Sequence, residues 1–181
     1  LELHIRHVPG GLFTTHVFDK LKEKDILRFE GPLGGFRLDE SSKRPVVLLA
    51  GGTGFAPIKS IVEHAIAAGI QRPMTLYWGS RNRAGLYQYD VAKGWEARLP
   101  GFRFVPVLSD SPADEGWTGR TGLAHAALMA DLPDLSGHEI YACGSPAMID
   151  SARADLVRQC GLPADAFHAD AFSFSNDAKA G

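Results

Sequence analysis

A glycine-rich stretch at residues 50–57, Ala-Gly-Gly-Thr-Gly-Phe-Ala-Pro, has the strongest chemical signature in the sequence. It follows a short apolar run at 46–50 and opens a helical pattern at 57–68. Glycines let a backbone approach a diphosphate closely, and the free N–H groups at the start of a helix favour an anion. A proline suits the first helical turn, where its missing N–H costs nothing. The predicted diphosphate-binding residues are Gly52, Thr53, Gly54 and Pro57.

The same stretch has a second interpretation, a tight strand–helix turn that needs glycine for steric reasons alone. Two other phosphate-binding motifs are excluded. No Gly-Lys-Ser or Gly-Lys-Thr follows, as in a Walker loop, and the spacing differs from the Gly-x-Gly-x-x-Gly of the Rossmann fingerprint. The strand–loop–helix context favours nucleotide binding over the steric interpretation.

A second candidate stretch lies at residues 141–148, Tyr-Ala-Cys-Gly-Ser-Pro-Ala-Met, where an apolar run at 139–143 ends. Ligands of parallel sheets lie at the carboxyl ends of the strands, so Cys143 would lie beside the ligand. Gly144 would leave room for a flat ring. A buried cysteine at a strand end is more often a packing residue, and this alternative stays open.

Two further stretches could bind parts of nucleotides. In residues 79–87, Ser80, Arg81 and Arg83 could hydrogen-bond ribose hydroxyls or a 2′-phosphate, unless the loop is only a solvated basic segment. In residues 9–15, a Gly-Gly turn leads into a helix, where Thr14 could cap the helix or help bind a second diphosphate. A simple cap is the plainer interpretation of that threonine.

The aromatic tail at residues 168–174 and the seven histidines carry weaker signals. The phenyl rings of the tail could stack on a planar cofactor or could pack in the core. No Ser–His–Asp arrangement is evident, and the histidines are scattered. We therefore predict no metal site and no hydrolytic triad.

Alternating apolar runs and helical patterns predict the elements that position these groups. Five strands separated by four helices indicate an α/β fold with a five-stranded, parallel, doubly wound sheet. The predicted strands cover 46–50, 74–79, 102–108, 139–143 and 167–171, and the predicted helices cover 57–68, 86–98, 121–130 and 146–159.

The beginning of the chain has a different pattern. Strands at 2–8 and 26–30 with a short helix at 14–20 favour antiparallel β structure. A polar segment that ends in Pro45 marks the predicted boundary between domains 1–43 and 44–181. Because Leu1 is not Met and the strand pattern starts at once, we expect the chain to begin inside a domain.

Bulk composition narrows the function classes. A net charge of −2 over 181 residues argues against a nucleic-acid partner. No apolar run approaches the roughly 18–20 residues needed to span a bilayer, so no membrane partner is predicted. The two cysteines form neither a zinc nor an iron–sulfur spacing, and a reduced, cytoplasmic setting is the simplest interpretation.

These stretches together resemble the ferredoxin–NADP reductase family. Residues 52–57 resemble its Gly-Thr-Gly-x-Ala-Pro nucleotide loop, and residues 143–148 its Cys-Gly-x-Pro-x-Met motif. Residues 11–14 resemble its flavin-diphosphate helix start, and residues 31–34 its barrel-closing turn. Within the family, residues 117–123 and the Ala-Asp-Ala-Phe tail look most like CDP-6-deoxy-Δ3,4-glucoseen reductases and reductase components of oxygenases.

The resemblance implies an antiparallel FAD-binding barrel, of which the chain has the C-terminal part, followed by the NAD(P)-binding domain. It also implies hydride transfer from NAD(P)H to FAD and electron transfer to an acceptor protein or iron–sulfur domain. Relatives often carry a [2Fe–2S] domain before this region. The implied nucleotide-binding and flavin-binding residues, with Cys143 and Phe172 bordering the redox rings, are Gly11, Leu12, Phe13, Thr14, Gly52, Thr53, Gly54, Pro57, Ser80, Arg81, Arg83, Tyr87, Gly144, Ser145 and Met148.

One departure from the family pattern leaves flavin retention by this chain open. The Arg-x-Tyr-Ser flavin motif, expected just before Leu1, is absent from the sequence. Two alternatives therefore remain, a nucleotide-binding module without catalysis of its own and a reductase that uses free flavin as substrate. The choice between NADH and NADPH is also open, because Arg81 and Arg83 permit a 2′-phosphate without requiring it.

Overall fold

A computed structural model describes residues 1–31, 33–110 and 116–173. The chain divides into two compact units, a first unit Leu1–Phe36 and a second unit Arg37–Gly181. Pro32 of the predicted barrel-closing turn and Phe174 of the aromatic tail lie outside the described residues. The predicted domain boundary at 43/44 stays a prediction.

The first unit contains one helix, α1 (Leu12–Asp19), which begins two residues before the predicted helix at 14–20. The strands predicted at 2–8 and 26–30 are wrong for this structure, since neither segment forms a strand. A strand needs a partner for its backbone N–H and C=O groups, and no described segment of this unit pairs with either. Apolar side chains such as Ile26 and Leu33 are correspondingly exposed.

The second unit is a parallel sheet with the strand order β4-β3-β2-β1-β5-β6. The five predicted strands are confirmed. The sheet has six strands rather than five, because a two-residue strand pairs with the end of β3 at its edge. The strands are β1 (Val46–Gly51), β2 (Met74–Ser80), β3 (Phe102–Leu108), β4 (Arg120–Thr121), β5 (Glu139–Gly144) and β6 (Phe167–Ala171).

Helices cover both faces of this sheet, as the doubly wound prediction requires. On one face, Phe55 from one helix stacks on Trp78 of β2, and Trp95 from another helix stacks on Phe55. On the other face, the remaining two helices bury a cluster that includes Val47 and Ile140. The helices are α2 (Phe55–Ala67), α3 (Tyr89–Arg98), α4 (Ala124–Asp131) and α5 (Pro146–Cys160).

Two predicted helix starts are corrected by local structure. The helix predicted at 86–98 begins at Tyr89 instead, and a short 3-10 turn, Arg83–Gly85, precedes it. Helix α4 begins at Ala124 rather than at 121, because β4 precedes it and Gly122 has a φ of +97°. This left-handed conformation favours glycine and turns the chain from strand to helix.

The strand order reverses between β1 and β5. Strand β1 pairs with β2 on one side and with β5 on the other, in parallel throughout. The loops that follow β1 and β5 therefore leave towards opposite faces and open a crevice at the carboxyl ends of the strands. In open α/β sheets, ligands bind at this point.

Candidate functional site

The loop of residues 51–54, hereafter the glycine loop, follows β1 at this switch point. Gly52–Gly54 form a 3-10 turn that continues directly into α2, with Pro57 in the first turn of the helix. Gly52 has a φ of +53°, and a Cβ built there would meet no heavy atom within 4 Å. Space therefore stays open beside Gly52, next to the helix N-terminus, whose first N–H groups have no intrahelical acceptor.

Gly54 brings the glycine loop into contact with the end of β5. A Cβ on Gly54 would overlap the carbonyl oxygen of Cys143 and lie 2.9 Å from the backbone nitrogen of Gly144. The backbones of the two predicted motifs thus touch, although 88 residues separate them in the sequence. The structure brings residues 52–54 and 143–144 together at one point.

Met148 fills the space beside the two neighbouring glycines. A Cβ on Gly144 would lie 3.0 Å from the Met148 sulfur and 3.4 Å from the Gly51 Cα, and a Cβ on Gly51 would overlap that sulfur. The close approach of Met148 thus explains why position 144 is occupied by glycine. Ser145 caps α5, because its hydroxyl oxygen accepts a hydrogen bond of 3.4 Å from the Met148 N–H.

The Cys143 thiol is buried and neutral. Burial is the main cause that raises its pKa to about 12, and the charge of Asp170 adds to this effect. A hydrogen bond from the Gly144 backbone acts in the opposite direction. A thiol rather than a thiolate is the form present near neutral pH, so this cysteine is not poised as a nucleophile.

Neither buried cysteine should react with iodoacetamide in the native chain at pH 8. Cys143 and Cys160 are both free and buried, and burial raises both pKa values. A raised thiol pKa stabilises the fold below the unfolded pKa, and this contribution is lost as the pH rises through the folded value. Mass spectrometry should find both cysteines alkylated only after unfolding. Rapid native labelling of Cys143 would contradict its burial.

Phe172 follows β6 directly. Its backbone N–H donates a 2.8 Å hydrogen bond to the carbonyl of Gly144, and its side chain is 39% exposed. Strand β6 pairs with β5 up to Ala171 and Gly144. The predicted tail residue therefore lies at the same end of β5 as Cys143.

The loop after β2 contains the residues predicted at the ribose. Arg81 and Arg83 are exposed, and the Arg81 Nε lies 3.0 Å from the Asp110 Oδ2. Asp110 follows β3, and its backbone N–H donates to the Arg81 carbonyl. The sequence analysis missed this carboxylate, because only the pairing of β2 with β3 places it beside Arg81.

Trp78 was also missed as a site residue. It lies on β2 opposite Ala50 of β1, and its indole N–H donates a 3.0 Å hydrogen bond to the carbonyl of Gly52. The buried ring stacks on Phe55 at 3.9 Å and contacts Tyr87 edge-on at 5.4 Å. The only available signal in the sequence was an aromatic residue just before Gly79.

In the first unit, Thr14 does not cap α1, so the cap interpretation is wrong. Gly11 occupies the N-cap position, without a side-chain cap, and Thr14 is the third helical residue. The Thr14 hydroxyl donates to the Val8 carbonyl and accepts from the Val8 N–H, both at 3.1 Å. Because Gly11 has no side chain that could cap them, the first backbone N–H groups of α1 fit an anion at this position.

Metal-binding clusters and membrane-spanning helices are absent from the described residues. Over 1–31, 33–110 and 116–173, no group of three or more histidine, cysteine, aspartate or glutamate residues could hold a metal ion. In the same part of the chain, no helix is long and apolar enough to cross a membrane.

The chain matches two known domain families. Residues 48–154, more than half of the chain, match the oxidoreductase NAD-binding domain family. The chain belongs to this family. Residues 1–38 match the oxidoreductase FAD-binding domain family. The resemblance to the ferredoxin–NADP reductase family is confirmed.

Several of the proteins that this chain resembles are reductases or reductase components. The chain is 45% identical to the CDP-6-deoxy-L-threo-D-glycero-4-hexulose-3-dehydrase reductase of Yersinia pestis, over 95% of this chain and 51% of that protein. It is 39% identical to terephthalate 1,2-dioxygenase reductase component 1 of Comamonas sp, over 97% and 51%. The crystal structure of the Amycolatopsis cytochrome P450 reductase GcoB matches with a TM-score of 0.85 and 37% identity, over 94% and 51%. The chain thus spans about half the length of the relatives it matches.

Proposed function

We propose that this chain is the NAD(P)H-binding part of an FAD-dependent oxidoreductase that transfers hydride from NAD(P)H to FAD. Electrons then pass to an iron–sulfur centre or another acceptor, in a separate domain or a partner protein. The observation that carries the proposal is the open glycine loop at the switch point, in backbone contact with Cys143. The two buried free thiols fit a cytoplasmic location.

Each end of the nucleotide has a proposed set of residues. The backbone N–H groups of Gly52, Thr53 and Gly54, with the N-terminus of α2, bind the diphosphate. Ser80, Arg81, Arg83 and Tyr87 bind the adenosine side, and the pair with Asp110 offsets the charge that Arg81 offers to a 2′-phosphate. Pro57 lies in the first turn of α2, where a missing N–H costs no hydrogen bond.

At the redox end, Gly144 and Ser145 border the nicotinamide, and Met148 keeps the end of β5 and the glycine loop in register. Cys143 provides a neutral group there, and Phe172 covers the position of the flavin ring. Hydride transfer needs no general acid or base, so an un-ionised thiol is compatible with the step. Bound flavin accepts a hydride and releases electrons one at a time, which is the chemistry that the cofactor supplies. The start of α1, at Gly11, Leu12, Phe13 and Thr14, binds the flavin diphosphate.

Anaerobic reduction of the flavin tests this proposal. The complete gene product that contains this chain should be purified with its flavin and mixed with NADH or NADPH in a stopped-flow instrument. The flavin absorbance should bleach at a rate that saturates with nucleotide, and the two nucleotides should differ in affinity. Nucleotide binding without reduction would favour a module without catalysis. A colourless protein that reduces added flavin would favour a free-flavin reductase.

A further inference from the structure

We infer that Trp78 is a positioning residue for nucleotide binding, because its indole N–H fixes the orientation of the Gly52–Thr53 peptide. The inference rests on the proposed function and adds a residue to it. Trp78 lies beneath the glycine loop on β2, and its indole nitrogen is 3.0 Å from the Gly52 carbonyl oxygen. The ring itself is fully buried.

The geometry of a peptide bond links this hydrogen bond to the ligand side of the loop. The carbonyl of Gly52 and the N–H of Thr53 belong to one planar unit, and in a trans peptide they point in opposite directions. When the carbonyl is held towards Trp78, the Thr53 N–H must point away from β2. The indole therefore decides which way a predicted diphosphate donor faces.

The glycine loop needs such a restraint. Gly52 has a φ of +53°, and no heavy atom lies within 4 Å of a Cβ built at that position. Glycine samples positive and negative φ almost equally, so local sterics do not fix this peptide. Its carbonyl also accepts a hydrogen bond from the Phe55 N–H at the start of α2, a donor that it shares with the Thr53 carbonyl. Loss of the indole donor would remove the hydrogen bond that ties this carbonyl to β2.

Three aromatic neighbours hold the indole in place. Phe55 stacks on it with ring centroids 3.9 Å apart and planes 10° apart. Tyr87 meets it edge-on at 5.4 Å, and Phe104 is tilted against it at 6.3 Å. Rotation of the indole away from Gly52 would break these contacts. The N–H is thus aimed by packing before any ligand arrives, which is the condition for preorganised binding.

Trp95 provides a matched control from the same cluster. It is also fully buried and stacks on Phe55, with centroids 5.5 Å apart. Its Nε1, however, has no hydrogen-bond partner among the described residues. Replacing either tryptophan by phenylalanine removes a similar amount of ring, but only Trp78→Phe removes a donor to the glycine loop.

The test compares Trp78→Phe and Trp95→Phe in the complete gene product with its flavin. Trp78→Phe should raise the KM and the Kd for the preferred nucleotide about three- to tenfold, as expected for loss of one hydrogen bond. Flavin reduction at saturating nucleotide should stay within about twofold of the unmodified protein. Trp95→Phe should change neither constant by more than about twofold. The amide signal of Thr53, observed without nucleotide, should shift in Trp78→Phe only.

An equal rise of KM in both variants would overturn the inference, since the loss of ring packing alone would then explain the effect. No rise of KM in Trp78→Phe would overturn it as well. If Trp78→Phe fails to fold, a benzothienyl analogue of tryptophan at position 78 keeps the shape and removes only the N–H, and the same rise of KM is expected. An unmodified protein that binds neither NADH nor NADPH would refute the proposed function itself. If the unmodified protein binds the nucleotide and Trp78→Phe has the same KM and Kd, only the role of Trp78 is refuted.

Discussion

A Gly54→Ala substitution should destabilise the second unit by about 2–3 kcal/mol, the cost of overpacking a close contact. The added methyl group would overlap the carbonyl oxygen of Cys143 and lie 2.5 Å from its carbonyl carbon. These are backbone atoms, so no side chain can rotate to make room. The glycine loop and the end of β5 must move apart instead.

The same movement should weaken NAD(P)H binding at least about tenfold, which corresponds to about 1.4 kcal/mol. The proposed diphosphate donors and the nicotinamide side are joined at this contact, so separating them misplaces one end of the ligand. Guanidinium unfolding gives the change in stability, and titration of nucleotide into the flavin-loaded protein gives the Kd. Both changes should appear in the same variant.

Gly94→Ala is the matched control for the loss of a glycine. Gly94 lies on an exposed part of α3, and a Cβ built there meets no heavy atom within 4 Å. Alanine should stabilise the helix by up to about 1 kcal/mol and leave nucleotide binding unchanged. If Gly54→Ala were as stable as Gly94→Ala and bound NAD(P)H unchanged, the close contact between Gly54 and the Cys143 backbone would be contradicted.

Five of the six strands could be predicted, and the signal is clearest for the central strands, whose residues are buried on both faces. Val46 to Ala50 are five consecutive buried residues, and such a run is typical of a central parallel strand. Strand β4 could not be predicted, since two exposed residues show no periodicity. The segment at 2–8, in contrast, was predicted as a strand but does not form one. Its alternation reflects a tendency towards β structure, but a tendency without a pairing partner produces no strand.

The candidate site was predictable only where the chemistry lies in contiguous residues. Gly52 to Gly54 and the Cys143 motif are local patterns, and the sheet places them together as the parallel topology predicts. Trp78 and Asp110 act on residues that are distant in sequence, through the pairing of β2 with β1 and with β3. Their types alone do not distinguish them as site residues, because an aromatic strand residue or an exposed aspartate has many other uses.

Arg72→Met should destabilise the second unit by about 3–5 kcal/mol, the cost of breaking a buried ion pair. Arg72 is buried at the amino-terminal end of the sheet, and one of its NH2 groups lies 2.8 Å from the Glu139 carboxylate. It also donates to the carbonyls of Arg44 and Asp39, which it ties to the start of β5. Methionine would leave the carboxylate without its charge partner and the carbonyls without a donor.

Two further variants test whether the loss of stability comes from the uncompensated charge and from its burial. Adding Glu139→Leu to Arg72→Met should restore part of the stability, because the uncompensated buried charge is gone while the two carbonyls stay unpaired. Arg158→Met removes an exposed pair with Asp155 and should cost less than about 1 kcal/mol. Guanidinium unfolding midpoints would rank the three, and equal losses in Arg72→Met and Arg158→Met would contradict the burial of the first pair.

Nucleotide binding should respond differently from stability in these variants. Glu139 begins β5 and Gly144 ends it, so the ion pair and the glycine loop lie at opposite ends of the same strand. At a temperature where Arg72→Met remains folded, its Kd for NAD(P)H should stay within about twofold of the unmodified value. A large loss of affinity would mean that the amino-terminal end of β5 controls the ligand end. An unchanged affinity would mean that Arg72 stabilises the sheet without shaping the nucleotide site.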